Sequence, residues 1–114
     1  MEGMLSVIIP VFNEEENLPL LHEKLLATLN TLGRDYEIIF INDGSSDDSA
    51  EVIDKLALGH GPTKGVHFRR NLGQTAAMMA GFDFASGEVI VPMDADLQND
   101  PIDVPRLLEV LDQG

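Results

Sequence analysis

Leu5-Ser6-Val7-Ile8-Ile9-Pro10-Val11 is a short apolar, β-branched run, and beyond the polar residues 13–16 come Leu18, Leu21, Leu25, Leu29 and Leu32 at helical spacing. The run reads as a buried strand and the leucine stripe as a helix, so the chain opens with a βα unit. Pro19 fits only a first helical turn, which puts the helix start near Asn17, with Gly33 closing it. The same alternation continues to the end of the chain. Residues 36–41 read as a second buried strand, and the turn Asn42-Asp-Gly-Ser-Ser-Asp-Asp48 supplies capping groups for a helix from about Asp48 through Val52, Ile53, Leu56 and Ala57. Gly59, Gly61 and Pro62 mark a loop, residues 66–68 a short third strand, 73–85 a helix rich in Ala and Met, 88–93 a fourth strand, and roughly 104–111 a last helix. Strands separated by helices pair in parallel through right-handed crossovers, and near-continuous apolar strands imply helices on both faces. The fold class is therefore α/β, a doubly wound, mainly parallel sheet, with residues 1–114 forming one unit. Neither a Gly-x-Gly-x-x-Gly turn after the first strand nor a P-loop occurs, so any nucleotide is held in another way.

With 114 residues, 44% of them hydrophobic, the chain can bury a core. Seven basic against twenty acidic residues give a net charge of −13, which argues against binding nucleic acid or an anionic membrane surface. An anionic substrate then needs a metal ion or local arginines to offset repulsion. Zero Cys rules out a disulfide framework, and no stretch has the roughly 18–20 apolar residues of a membrane span. No signal peptide is expected at the start, and the piece itself is expected to be soluble.

The fourth strand runs into Asp94-Ala95-Asp96-Leu97-Gln98. On an extended backbone Asp94, Asp96 and Gln98 project to one side, at the carboxyl end of a strand, where open α/β sheets place ligands. Three oxygen donors without His or Cys suit a hard cation such as Mg²⁺ or Mn²⁺. Taken alone, the triplet equally describes a loop of solvated acids or helix caps.

Three polar clusters fall at strand ends: residues 10–14, 42–45 and 94–98. Val-Ile-Ile-Pro-Val-Phe-Asn-Glu (7–14), Ile-Asn-Asp-Gly-Ser-Ser-Asp-Asp-Ser (41–49), Arg-Asn-Leu-Gly-Gln (70–74) and Asp-Ala-Asp-Leu-Gln (94–98), in this order, resemble the nucleotide-sugar half of family 2 glycosyltransferases of the GT-A fold. The resemblance covers essentially the whole chain and points to the branch acting on dolichol- or undecaprenyl-phosphate. It implies strand order 3-2-1-4 and metal-dependent, inverting transfer of a hexose from a UDP- or GDP-sugar to a polyprenyl phosphate. By the same resemblance Pro10, Phe12 and Glu14 lie against the nucleoside, with Phe12 where many relatives carry Tyr. Ile41 and Asp43 flank the base, Asp43 accepting from a ring N–H, while Asn42 stands where a further Asp is usual. Ala95 lends backbone contacts, Asp96 and Gln98 bind the metal, and Asp94 binds it or stands directly behind. Arg70, in a matching motif just before a helix, is either a phosphate contact or a solvated charge.

Other residues have plainer readings. Residues 13–16 also suit helix-terminus acids, Asp47 and Asp48 read as caps, and Met78, Met79 and Phe82 as core. His22, His60 and His67 have no ligand spacing. The resemblance implies a catalytic domain about twice this length, so the chain reads as its nucleotide-binding part, without acceptor contacts or base and with membrane helices, if any, further on. The whole enzyme is expected at the cytoplasmic side of a membrane, and the isolated piece is expected to self-associate through the free edge of strand four. A non-catalytic nucleotide-sugar-binding or scaffold module is the alternative. A receiver-like signalling domain is disfavoured because no Lys follows Lys64.

Overall fold

The computed structural model of the protein describes residues 3–95. Over them run β1 (Leu5–Val11), α1 (Leu18–Leu29), β2 (Tyr36–Asn42), α2 (Ser49–Gly59), β3 (Thr63–His67), α3 (Gln74–Phe84) and β4 (Val89–Pro92). All strand pairs are parallel and the sheet order is β3-β2-β1-β4, as the resemblance implies.

One break in the ladder creates the functional edge. β1 pairs with β2 along its whole length, Leu5 opposite Tyr36 through Val11 opposite Asn42. Its pairing with β4 stops at Ile8 opposite Pro92. Alternate β1 residues serve alternate neighbours: the Val11 carbonyl accepts from Asp43 N–H at 2.8 Å, the Ile8 carbonyl from Met93 N–H at 3.0 Å. By that alternation Pro10 faces the β4 side, and it has no N–H to offer. β1 and β4 therefore part at their carboxyl ends.

The sheet separates two apolar clusters by residue parity. Leu5, Val7, Ile9 and Val11 pack with the leucine stripe of α1, Ile53 of α2, and Ile38 and Phe40 of β2. Ile8, Ile39 and Ile41 pack on the other face against Ala77 of α3. Fully burying such a side chain contributes roughly 1.5–3 kcal/mol, so the leucine stripe alone anchors α1. α3 sits close to the sheet because Gly81 lacks a Cβ, which would lie 3.0 Å from the Ile8 and Ile41 side chains.

Two partly buried polar networks lie toward the amino ends of the strands. Glu37 accepts from Ser6 Oγ and Ser86 N–H, each at 2.6 Å, and from Lys64 Nζ at 2.8 Å. Burial pushes its carboxyl up, but the bonds from Lys64, Ser6 and Ser86 outweigh that and hold it below the usual carboxylate range. On the other face, Thr63 Oγ1 lies 2.8 Å from His22 Nε2 and 2.9 Å from His60 Nδ1, and His60 Nε2 lies 3.2 Å from Tyr36 Oη. Tyr36 donates its proton to Asn30 Oδ1 at 3.0 Å. It must then accept from His60 Nε2–H, which makes His60 Nδ1 the acceptor for Thr63 and leaves Thr63 accepting from His22 Nε2–H. Burial, and secondarily the proximity of His60, lower the His22 pKa from 6.5.

Several expected boundaries move. β3 begins at Thr63 and ends before Phe68, three residues earlier than the apolar signal, because Ile38–Asn42 of β2 pairs with Thr63–His67. β2 extends to Asn42, and β4 is shorter than 88–93. α1 ends at Leu29, and Gly33, with φ +65°, turns the chain only after a further loop. Met79 and Phe82 are not core: they are 63% and 48% exposed on the outer face of α3, and only Met78 packs inward. The last helix expected at 104–111 lies outside the described residues, among which no helix is long and apolar enough to cross a membrane.

Candidate functional site

Where β1 and β4 part, a cleft of about 360 Å³ opens, lined by Pro10, Val11, Phe12, Glu14, Asp43, Gln74, Asp94 and Ala95. The carboxyl ends of β1, β2 and β4 and the start of α3 contribute, as parallel strands allow. Six of the residues singled out from sequence thus converge on one space: Pro10, Phe12, Glu14, Asp43, Asp94 and Ala95. Phe12 is 48% exposed, an aromatic face at the mouth of the cleft.

The loops are held by one another's polar groups. Asn13 adopts φ 55°, a left-handed conformation that Asn tolerates better than most residues. Its Oδ1 accepts from the N–H groups of Ser46 at 2.8 Å and Asp47 at 3.3 Å, while its own N–H donates to Ser45 Oγ at 3.0 Å. Glu14 N–H donates to Ser49 Oγ at 3.0 Å, and Glu14 Oε2 accepts from Asn17 Nδ2 at 2.7 Å. Asp47 accepts from Ser49 N–H at 2.9 Å and Glu15 N–H at 3.2 Å. Burial raises its carboxyl, and the bonds from Ser49 and Glu15 outweigh that and lower it. Asp47 is therefore a turn and cap residue, whereas Asp48, at the N-cap of α2, makes no side-chain cap bond. Residues 13–15 thus make bonds within and between the loops, and the first turn of α1 itself carries no acidic residue.

Asp43, 4% exposed, takes Leu72 N–H at 2.7 Å on Oδ1, and Gly73 N–H and Asn71 Nδ2, both at 3.1 Å, on Oδ2. That uses three of the roughly four acceptor positions of a carboxylate. Gln74 Nε2 stands 3.5 Å from Asp94 Oδ1, joining the start of α3 to the end of β4 at the limit of a hydrogen bond.

Two sequence-based expectations fit less directly. Ile41 is fully buried beneath α3, so it supports the cleft from below and has no surface to offer a base. Arg70 is exposed and does not line the cleft; the loop it heads is tied to the cleft through Asp43. Asp96 and Gln98 lie outside the described residues. Sequence reasoning gave no role to Gln74 or Asn71, and to Asn13 none in bridging two loops. Gln74 and Asn71 belong to the Arg-Asn-Leu-Gly-Gln run, and Asn13 to the first motif, so the signal was adjacency to residues already singled out.

Among the described residues the cleft is acidic, with Glu14, Asp43 and Asp94 and no Lys or Arg in its lining. It repels a diphosphate unless a cation is present or Arg70 turns in. Oxygen donors of this kind fit Mg²⁺ or Mn²⁺. Among the described residues no three His, Cys, Asp or Glu side chains are close enough to hold an ion, so Asp94 is the one expected ligand in view.

Glycosyl transferase family 2 matches residues 6–114 of the chain. An undecaprenyl-phosphate 4-deoxy-4-formamido-L-arabinose transferase of Pectobacterium carotovorum is 50% identical over 113 residues, 96% of this chain and 34% of that protein. A Klebsiella pneumoniae protein of the same name is 48% identical over 111 residues, with the same coverage. The chain thus spans about a third of the length of the curated relatives it matches. Among solved structures, glucosyl-3-phosphoglycerate synthase from Mycobacterium tuberculosis, in complex with Mn²⁺, UDP and glucosyl-3-phosphoglycerate, superposes with TM-score 0.72 at 24% identity, covering 95% of this chain and 39% of that one. A mannosyltransferase from Pyrobaculum calidifontis, in complex with GDP-Man and Mn²⁺, gives 0.67 at 24%, covering 84% and 28%. Those likenesses establish the shared fold. Sequence motifs, sheet order and the family match agree, and the chain belongs to glycosyl transferase family 2.

Proposed function

We propose that this chain is the donor-binding part of an enzyme that transfers a sugar, with inversion, from a nucleoside diphosphate to a polyprenyl phosphate. The observation that carries the reading is the convergence of Pro10, Phe12, Glu14, Asp43, Asp94 and Ala95 on one cleft at the carboxyl edge of the sheet. Phe12 offers a ring face to base or ribose, and the Pro10 break leaves room for it. Asp43 keeps one acceptor position for a base N–H, and Glu14 stands beside it for the ribose. Arg70, exposed beside the cleft, turns in to meet the diphosphate. Asp94, Asp96 and Gln98 hold Mg²⁺ or Mn²⁺, which when bound offsets the charge that develops on the leaving diphosphate. The acidic lining then discriminates against donor that arrives without its metal.

The polyprenyl-phosphate acceptor is inferred from the names of relatives 48% to 50% identical to this chain. A phosphate oxygen is already ionised near neutral pH, so attack at the anomeric carbon calls for no base from this part of the protein. A hexose is the sugar expected from the sequence resemblance, whereas the relatives are named for an arabinose derivative; a donor panel separates the two.

Calorimetry with UDP- and GDP-sugars, with and without Mn²⁺, tests the reading, repeated on Asp96→Asn. Binding that strengthens with Mn²⁺ and loses that dependence in the variant supports it. Binding indifferent to both removes the metal assignment, and no binding by any nucleotide removes the function.

A further inference from the structure

The Asp43 carboxylate is spent on a neighbouring loop rather than on solvent. Leu72 N–H, Gly73 N–H and Asn71 Nδ2 all donate to it, and Asn71 Nδ2 also reaches the Asp43 carbonyl at 3.1 Å. The next residue closes the same loop from beneath. A Cβ on Gly44 would lie 2.7 Å from Arg70 Cα and would overlap the Arg70 carbonyl carbon and the Asn71 nitrogen. The backbone of residues 70–73 is therefore seated on the β2 turn by three bonds to one carboxylate and by direct backbone packing.

We propose that Asp43 is a positioning residue for Arg70: it holds the 70–73 loop beside the cleft, from which the exposed Arg70 side chain turns in to the donor's diphosphate, and so couples nucleoside binding to diphosphate binding. The ligand's identity rests on the reading above; the clamp does not. Asn at position 43 keeps the shape but turns one acceptor oxygen into an N–H donor. Facing backbone N–H groups, it leaves at least one of Leu72 and Gly73 without a partner.

The 114-residue chain, its Asp43→Asn, Arg70→Ala and Asn71→Ala variants and the Asp43→Asn/Arg70→Ala double variant are compared, with UDP, GDP, uridine and guanosine as probes. Without ligand, amide exchange at Leu72 and Gly73 should run about tenfold faster in Asp43→Asn while the β1 and β2 amides keep their protection. Arg70→Ala should weaken the diphosphate that binds by about tenfold in the unsubstituted chain but by less than about threefold in the Asp43→Asn background, since the loop is already loose. It should leave nucleoside affinity alone. Asn71→Ala, which removes one donor from an exposed position and so spares the fold, should weaken the diphosphate and not the nucleoside. Additive losses in the cycle overturn the coupling, and unchanged exchange at Leu72 and Gly73 overturns the clamp. If neither UDP nor GDP binds the unsubstituted chain, the nucleotide reading fails and the coupling with it, and exchange alone decides the clamp.

Discussion

Gly44 and Gly33 form a matched pair that measures how tightly the β2 turn and the 70–73 loop are locked. Both have φ +65°, so replacing either with Ala incurs the same left-handed penalty, about 1–2 kcal/mol. At Gly33 nothing lies within 4 Å of the added Cβ. At Gly44 the Cβ meets three backbone atoms of Arg70 and Asn71, which cannot rotate away as a side chain would. Relieving that overlap means displacing the loop, at a further cost of about 1–3 kcal/mol, and pulling on the bonds that Leu72 and Gly73 make to Asp43. Gly33→Ala should therefore lose about 1–2 kcal/mol and Gly44→Ala about 2–5 kcal/mol, a large share of the roughly 5–15 kcal/mol available to a domain. Urea denaturation of the two variants with unchanged m-values reads the difference directly. Equal losses would refute the close approach and, with it, the interlocking of the two loops.

The same packing and hydrogen bonding have other consequences. Phe12→Ala should change stability by less than about 0.5 kcal/mol, because the ring is half exposed, yet weaken nucleotide binding by about 1–3 kcal/mol if the ring stacks on the base; paired denaturation and calorimetry separate these. Glu37, with its folded carboxyl below the usual range, contributes stability above the ordinary value of 4.5 and loses it as pH falls through the folded value; Glu37→Gln should cost about 1–2 kcal/mol at pH 7, and the gap should shrink below pH 4 in pH-resolved denaturation. His22, lowered from 6.5, binds its proton more readily unfolded than folded, so stability should fall as pH drops below 6.5, and His22→Leu should flatten that slope in melts between pH 7.5 and 5.5. β4 pairs on one side only among the described residues, so sedimentation velocity should show concentration-dependent association; a monomer at high concentration would count against strand-edge pairing.

The β1–α1 and β2–α2 units were legible in the sequence because their apolar residues repeat at strand and helix periods and are buried on both faces. β3 was legible only in part. Thr63, Lys64 and Gly65 carry no apolar signal; they are a strand because β2 offers them an edge and because Gly65 makes room for Ile53, whose Cγ2 a Cβ there would approach to 2.6 Å. α3 carries apolar residues on more than one face, so its spacing gave no facing, and Met79 and Phe82 were misplaced in the core. At the site, motif residues at strand ends were found because parallel strands bring those ends together. The burial of Ile41 was not legible because neighbours along an extended strand face opposite ways, and Ile41 faces inward under α3. The Asp43–Leu72 and Asn13–Ser46 bonds bridge 29 and 33 residues, a separation at which no local pattern exists to read.

Amide chemical-shift mapping of a nucleoside diphosphate titration with Mg²⁺ present tests the central claim most directly. Shifts concentrated at Val11, Phe12, Glu14, Asp43, Gln74, Asp94 and Ala95 are the expected result. Shifts confined to the amino-end face around Tyr36, Gly61 and Lys64, or no shifts at millimolar nucleotide, would contradict the account.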